Sequence, residues 1–286
     1  MIRESAIDVM RREMQVVRRE TAPDRQDCAV EKGSYSIDRE NFFLHADCGL
    51  KISYRKGSGV SIQYGENTTA LDERLFIDGT TYAAVASING FFPVHASAVA
   101  VEDRVFAFTA ESGAGKSTLV AELARQGLPM FCDDSLVLDL RDEDCILALP
   151  GNKQLKLWPD ALALTGAAPQ GLVWEGEDKR YAEPSGEMDR RTLPLAELCF
   201  LEEGEPAAIE PVIGANRLRL FQDMDYVTDI YMGASELDGH EQFRLMARLA
   251  RDLKITRFIR PRDASRFRAD AEIMVRHIFS YGKTGS

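Results

Sequence analysis

The residues best equipped for chemistry gather between His95 and Asp134. From Arg104 to Thr118 the chain reads RVFAFTAESGAGKST. It is an alternating apolar run that breaks at a glycine-containing loop and resumes with helical spacing in LVAELARQG. Strand, glycine loop, helix is the order a phosphate cradle requires. Gly113 and Gly115 let successive backbone N–H groups turn inward toward phosphate oxygens, and the following helix adds its positive N-terminal end. On this reading Ser112, Gly113, Ala114, Gly115, Lys116, Ser117 and Thr118 bind a nucleotide. Lys116 reaches the β- and γ-phosphates, and the Ser117 hydroxyl holds Mg²⁺. The pattern GxxxxGK[ST] is met at every fixed position except the first, where Ala110 replaces glycine; a methyl group is tolerated there if φ stays negative.

The segment FCDDSLVLDL reads as the next strand, with Asp133 and Asp134 close to its start. Two adjacent carboxylates at a strand entry are costly unless something positive lies beside them. A Mg²⁺-nucleotide would be that partner. His95 belongs to the strand-like run VHASAVAV just ahead of the loop. Asp139 competes for the metal, because SLVLD also fits the apolar run followed by aspartate that holds Mg²⁺ in generic P-loop hydrolases. Lys179 and Arg180 lie in a polar loop from which they could close over phosphates.

The elements that must position these groups follow from pattern. Ile7, Met10, Met14 and Val17 define one face of an amphipathic helix over residues 4 to 20, with a linker to Gly33. FFLHAD, LKISYR and VSIQYG read as a small antiparallel sheet, and residues 71 to 90 as a helix or a strand plus helix. LAELCFLE, AAIEPVI and KITRFIR supply further strands, with helices over about 237–253 and 264–279. In the first of these helices Arg244, Arg248 and Arg251 share a face, either solvated or a cradle for an acidic peptide or phosphate. The chain therefore divides into a helix and linker (1–33), a small β-rich unit (34–90) and an α/β P-loop core with C-terminal helices (91–286).

With 286 residues, 45 % hydrophobic and 28 % charged, the composition is that of a globular protein with a sizeable core. The net charge of −11 argues against a general nucleic-acid binder. No apolar run reaches the length of a membrane span, and the N-terminus lacks the apolar core of a signal peptide, so the expected setting is the cytoplasm, without membrane or nucleic-acid partners. The 5 cysteines are scattered without a CxxC pair, which suggests neither a disulfide framework nor a zinc site.

The segment FPVHASAVAVEDRVFAFTAESGAGKSTLVAELARQGLPMFCDDSLVL resembles the catalytic core of the HPr kinase/phosphorylase superfamily. The shared elements, in order, are a histidine ahead of the loop, an SGxGKS loop, a helix ending in glycine and an Asp-Asp pair. HASAV, SGAGKSTL and LWPDAL look most like the shorter members that tailor lasso-peptide precursors; the EIRGLGI-type signature of the longer, HPr-directed members is absent. The resemblance implies a P-loop kinase core of the HPr kinase/phosphoenolpyruvate-carboxykinase type, using ATP and Mg²⁺ to phosphorylate a serine hydroxyl on a peptide or small protein. It also implies roles: Lys116 on the phosphates, Ser117 on Mg²⁺, Asp133 as base, Asp134 on metal-bound water, with the last two interchangeable, and His95 steadying the acidic pair. Related full-length enzymes assemble, so a homo-oligomer is compatible with the family. Other readings of the same residues are an ATP-binding switch with slow hydrolysis, an HPr kinase and a free-serine kinase.

Overall fold

The computed structural model describes residues 4–20, 30–151, 154–186, 189–222 and 226–281. Two large sheets share the work, and the glycine loop belongs to the second.

The first sheet has six strands and is built largely as a meander. Tyr35–Ile37, Asn41–His45, Lys51–Arg55 and Gly59–Gln63 pair in antiparallel succession. Alternation along them is clean: Phe42, Leu44, Ile52, Tyr54, Val60 and Ile62 all turn into one core, as a sheet covered on one face demands. The covering elements are the helix Ala6–Glu13 and a helical stretch from Ala70 to Ile88, interrupted by a π-helical turn at Ile77–Thr81. Thr69 opens that stretch with a capping box, its hydroxyl accepting from Asp72 N while the Asp72 carboxylate accepts from Thr69 N.

Two sequence expectations change here. The N-terminal helix ends at Glu13, and Val16–Arg18 adds instead as a parallel strand beside Gly59–Gln63. The paired β-branched residues Val16 and Val17 favour the extended backbone, and the free sheet edge supplies partners for it. Val30–Lys32 joins the opposite edge, so the small sheet draws in residues ahead of position 34. Nor does its core end at residue 90, since Val137, Leu149, Ile230 and Ala234 pack into the same cluster.

The second sheet has nine strands. Its centre is parallel: Arg104–Thr109 lies beside Leu193–Glu203, which lies beside Ile255–Arg260. Ala96–Val101 forms a hairpin with the first of these, and Met130–Cys132 pairs beyond it. On the other side, Leu147–Leu149, Leu136–Asp139 and Phe92–Val94 follow in antiparallel order. The strand feeding the loop is buried on both faces. Val105 and Ala107 enter one apolar cluster, Phe106 and Phe108 the other, so the alternation seen in the sequence separates two cores rather than core from solvent. The helices Lys116–Arg125 and Phe267–Ser280 cover the Phe108 side. A three-stranded sheet, Leu155–Leu157, Arg180–Ala182 and Pro169–Leu172, stands at the edge of the site.

On the helix Gly239–Asp252 the three arginines do not converge on one cradle: Arg244 is exposed and the other two are engaged within the protein. Arg248 is bound to the Leu140 and Asp142 carbonyls and Arg251 to Asp252. Among the described residues no helix is long and apolar enough to cross a membrane.

Phe108 is 1 % exposed directly before the loop, so Phe108→Ala should lower the unfolding free energy by about 3–5 kcal/mol in urea denaturation. A loss under about 1 kcal/mol would mean that the strand is not the rigid base of the loop.

Candidate active site

The loop leaves its strand at Thr109 and winds into the helix at Gly115, which caps it with φ +89°. Gly113 has φ +80°, and at both positions a side chain would be strained. Ala110 is not among the described residues with positive φ, so its methyl group is accommodated and the loop forms without the first glycine. Lys116 is buried, and its Nζ donates to the carbonyls of Ala110 at 2.8 Å and Glu111 at 3.2 Å. The ammonium thus lies across the mouth of the loop, held by main-chain oxygens.

Asp133 and Asp134 do not lie within a strand. They occupy a bend between Met130–Cys132 and Leu136–Asp139, where the chain passes from one neighbour to another. Asp134 takes the left-handed conformation, φ +72°, which aspartate accepts more readily than most residues. The bend sends the two carboxylates to different partners.

The Asp133 carboxylate, 1 % exposed, lies beneath the loop. It accepts from Ser97 Oγ at 2.5 Å, Ser117 Oγ at 2.8 Å and the Lys156 backbone N–H at 3.1 Å. Three donors replace the water that burial removes. Asp134 turns the other way, to Lys156 Nζ at 2.7 Å, and keeps its side chain 32 % exposed. Burial pushes the Asp134 carboxyl upward, but Lys156, with smaller help from His95 and Lys179, more than offsets this and holds it below the ordinary value of 3.8. Burial likewise works to lower Lys156, and Asp134 reverses the sign, so the ammonium is held above its ordinary value.

His95 Nδ1 lies 2.9 Å from the Asp134 carbonyl oxygen, which can only accept, so that nitrogen carries a proton. The same nitrogen is 3.7 Å from Asp134 Oδ1. His95 stands not within a strand but at the bend between Phe92–Val94 and Ala96–Val101, and Thr109 donates to its carbonyl at 3.0 Å, tying that bend to the base of the loop. The Asp133–Asp134 bend and the loop are therefore cross-linked twice, through Ser117 and through His95.

Two cavities meet at this point. One, of about 390 Å³, lies over Ser112–Thr118 and Asp133 and reaches Trp158, Glu177 and Lys179. The other, of about 260 Å³, is walled by Leu75, Phe76, Gly79, Thr80 and Ala83 from the helical stretch around the π-turn. His95, Asp134 and Lys156 line both. Lys116, Lys156 and Lys179 all line the first cavity, a setting that suits a nucleotide's phosphates. Ser117 and Asp133 provide adjacent hard oxygen donors of the kind Mg²⁺ takes when phosphates complete its shell.

The structure gathers His95, Lys116, Asp133 and Asp134 around one cavity with Ser112, Gly113, Gly115, Ser117 and Thr118 of the loop. The resemblance leaves the roles of the two aspartates interchangeable; here the Asp133 carboxylate accepts from Ser117 Oγ, and the Asp134 carboxylate turns to Lys156. Asp139 lies outside both cavities, clamped by Arg141 through two bonds of 2.7 Å. Lys179 lines the first cavity, and its Nζ lies 5.8 Å from the Trp158 ring centre.

Sequence reasoning passed over Lys156 and Ser97. Ser97 was within reach, since a strand period of two places it on the face of His95. Lys156, between Leu155 and Leu157, carries no local sign that its amine is buried; that depends on the bend 22 residues earlier in the chain.

No protein-family model matches the chain, and no curated protein does. Among solved structures, the chain is similar to the Hpr(Ser) kinase/phosphatase from Coxiella burnetii, with 11 % sequence identity, a TM-score of 0.34 and coverage of 65 % of this chain and 96 % of that one. This is a distant likeness of fold.

Because Lys156 holds Asp134 low, Lys156→Met should raise the Asp134 carboxyl above its wild-type value, read from the pH titration of its ¹³C carboxyl resonance. The pair's contribution to stability is present above the ordinary aspartate value of 3.8 and is lost as pH falls through the lower folded value; the variant lacks that acid-side loss. An unmoved Asp134 resonance would remove Lys156 as its partner.

Proposed function

We propose that the protein is an ATP-dependent kinase that transfers the γ-phosphoryl group to a hydroxyl, and that the acceptor is a serine of a peptide or small protein. The observation that carries this reading is the wall shared by the two cavities. Asp134 and Lys156 face both a phosphate cradle and a second space deep enough for an acceptor side chain. A nucleotide hydrolase needs only the first cavity and a water.

The roles follow from chemistry and position. Lys116 lets go of the loop carbonyls to engage the β- and γ-phosphates. Ser117 and Asp133 hold Mg²⁺, which would neutralise charge on the phosphates. Asp134 is the base. As the acceptor oxygen bonds to the γ-phosphorus, the bond to the β-phosphate oxygen breaks, ADP leaves, and the acceptor proton passes to the Asp134 carboxylate. Lys156, already beside Asp134, balances charge on the transferring group, and His95 fixes the Asp134 backbone through its carbonyl.

The finer reading, a ribosomal precursor peptide of the lasso type as acceptor, draws on the HASAV, SGAGKSTL and LWPDAL motifs. The apolar lining from Leu75, Phe76 and Ala83 is compatible with a peptide side chain beside the acceptor hydroxyl.

With Mg-ATP and a candidate precursor peptide, mass spectrometry should record a gain of about 80 Da on a serine. Asp134→Asn should keep ATP binding and reduce transfer by about 10²–10⁴. Asp133→Asn should instead weaken the Mg²⁺ dependence, while Asp139→Asn should leave transfer unchanged. Transfer lost with Asp139→Asn and retained with Asp134→Asn would return the protein to the hydrolase reading.

A further inference from the structure

The strand Ile255–Arg260 is the outer neighbour of Leu193–Glu203, and its last residue ends against the glycine loop. Arg260 Nη2 donates to the Ala114 carbonyl at 3.1 Å. The same nitrogen lies 2.8 Å from where a Cβ on Gly115 would stand, so the guanidinium rests directly on the loop.

The charge on Arg260 is poorly matched. Its neighbours along this edge have carboxylates within ion-pair reach: Arg257 has Glu202 and Glu210, Arg262 has Glu203, and Arg266 has Glu205. Arg260 has no such partner among the described residues. Asp270, the acid that acts on it, lies 3.8 Å from Arg266 instead, and Arg260 Nε and Asp270 Oδ2 are both buried without hydrogen-bond partners. Burial pulls the Arg260 guanidinium below its ordinary value; Asp270 opposes this and Arg262 adds to it. A part-buried cation without a counter-ion weakens a fold. Its place against the cradle suggests what the missing negative charge is.

We propose that Arg260 is a positioning residue for the phosphate cradle, whose charge is completed by the nucleotide. A trans peptide opposes its C=O and N–H, so holding the Ala114 carbonyl toward Arg260 fixes the Gly115 N–H on the opposite side. The positive charge behind the loop adds to the field that the phosphates enter. This inference rests on the nucleotide reading of the loop and adds to it a residue 145 positions beyond Gly115, outside the loop motif.

The test is calorimetric binding of Mg-ATP, Mg-ADP and AMP to the wild type, Arg260→Lys and Arg260→Met, with melting curves of each free protein. Arg260→Met should weaken ATP by about ten- to hundredfold, ADP less and AMP least, and Arg260→Lys should recover part of the loss. Free Arg260→Met should melt no lower than the wild type, because an unmatched charge has been removed, yet show a smaller rise in melting temperature with ATP. Wild-type ATP affinity in Arg260→Met overturns the inference alone. So does an equal loss for all three nucleotides, or a lowered melting point of the free protein with affinity intact in Arg260→Lys, since either makes Arg260 a plain packing residue. A wild type that binds none of the three overturns the kinase reading and this inference together.

Discussion

Two consecutive carboxylates must be accommodated at the edge of a buried sheet, and the left-handed backbone at Asp134 is what makes this tolerable. Side by side in one environment they would repel and compete for the same donors. The bend separates their tasks. Asp133 is enclosed by two hydroxyls and a backbone N–H, while Asp134 is paired with an ammonium and left partly open. Everything that gives the site direction depends on that separation, because one carboxylate faces the loop serine and the other faces the junction of two cavities.

The fold supplies the remaining constraints. A parallel strand buried on both faces holds the loop; the hairpin strand beside it brings Ser97, with His95 just ahead of it, and the strand beyond Leu193–Glu203 brings Arg260 to the same end of the sheet. The helical stretch from Ala70 to Ile88 serves both regions of the molecule. It packs under the six-stranded sheet and, at its π-helical turn, walls the second cavity beside Asp134. π-Helical turns are often found at functional sites, where they displace side chains that a regular helix would align differently. The N-terminal sheet is thus coupled to the site through a shared core rather than joined to it by a linker.

Much of this was legible in the sequence. The strand, loop and helix from Arg104 to Arg125 are fixed by local rules, namely alternation, glycines at left-handed positions and helical periodicity, so they could be read without tertiary information. So could the strands LAELCFLE and KITRFIR. What escaped depends on distant contacts. Val16–Arg18 is a strand because an edge is free for it to pair with, which no window of sequence contains. Which aspartate meets Ser117 and which meets Lys156 is decided by the bend at Asp134 and not by residue type. Lys156 and Arg260 look like ordinary charged residues on strands until the fold brings one to Asp134 and the other to Ala114.

In the proposed kinase the cleavable end of a bound triphosphate lies at the junction of the two cavities. The most direct measurement is a crystal structure with Mg²⁺ and a non-hydrolysable ATP analogue. The γ-phosphorus should lie beside Asp134 and Lys156, the metal on Ser117 and Asp133, and the space by Phe76 and Thr80 should be open in line with the bond to be broken. A triphosphate whose terminal group points away from Asp134, or a metal held by Asp139, would contradict this arrangement.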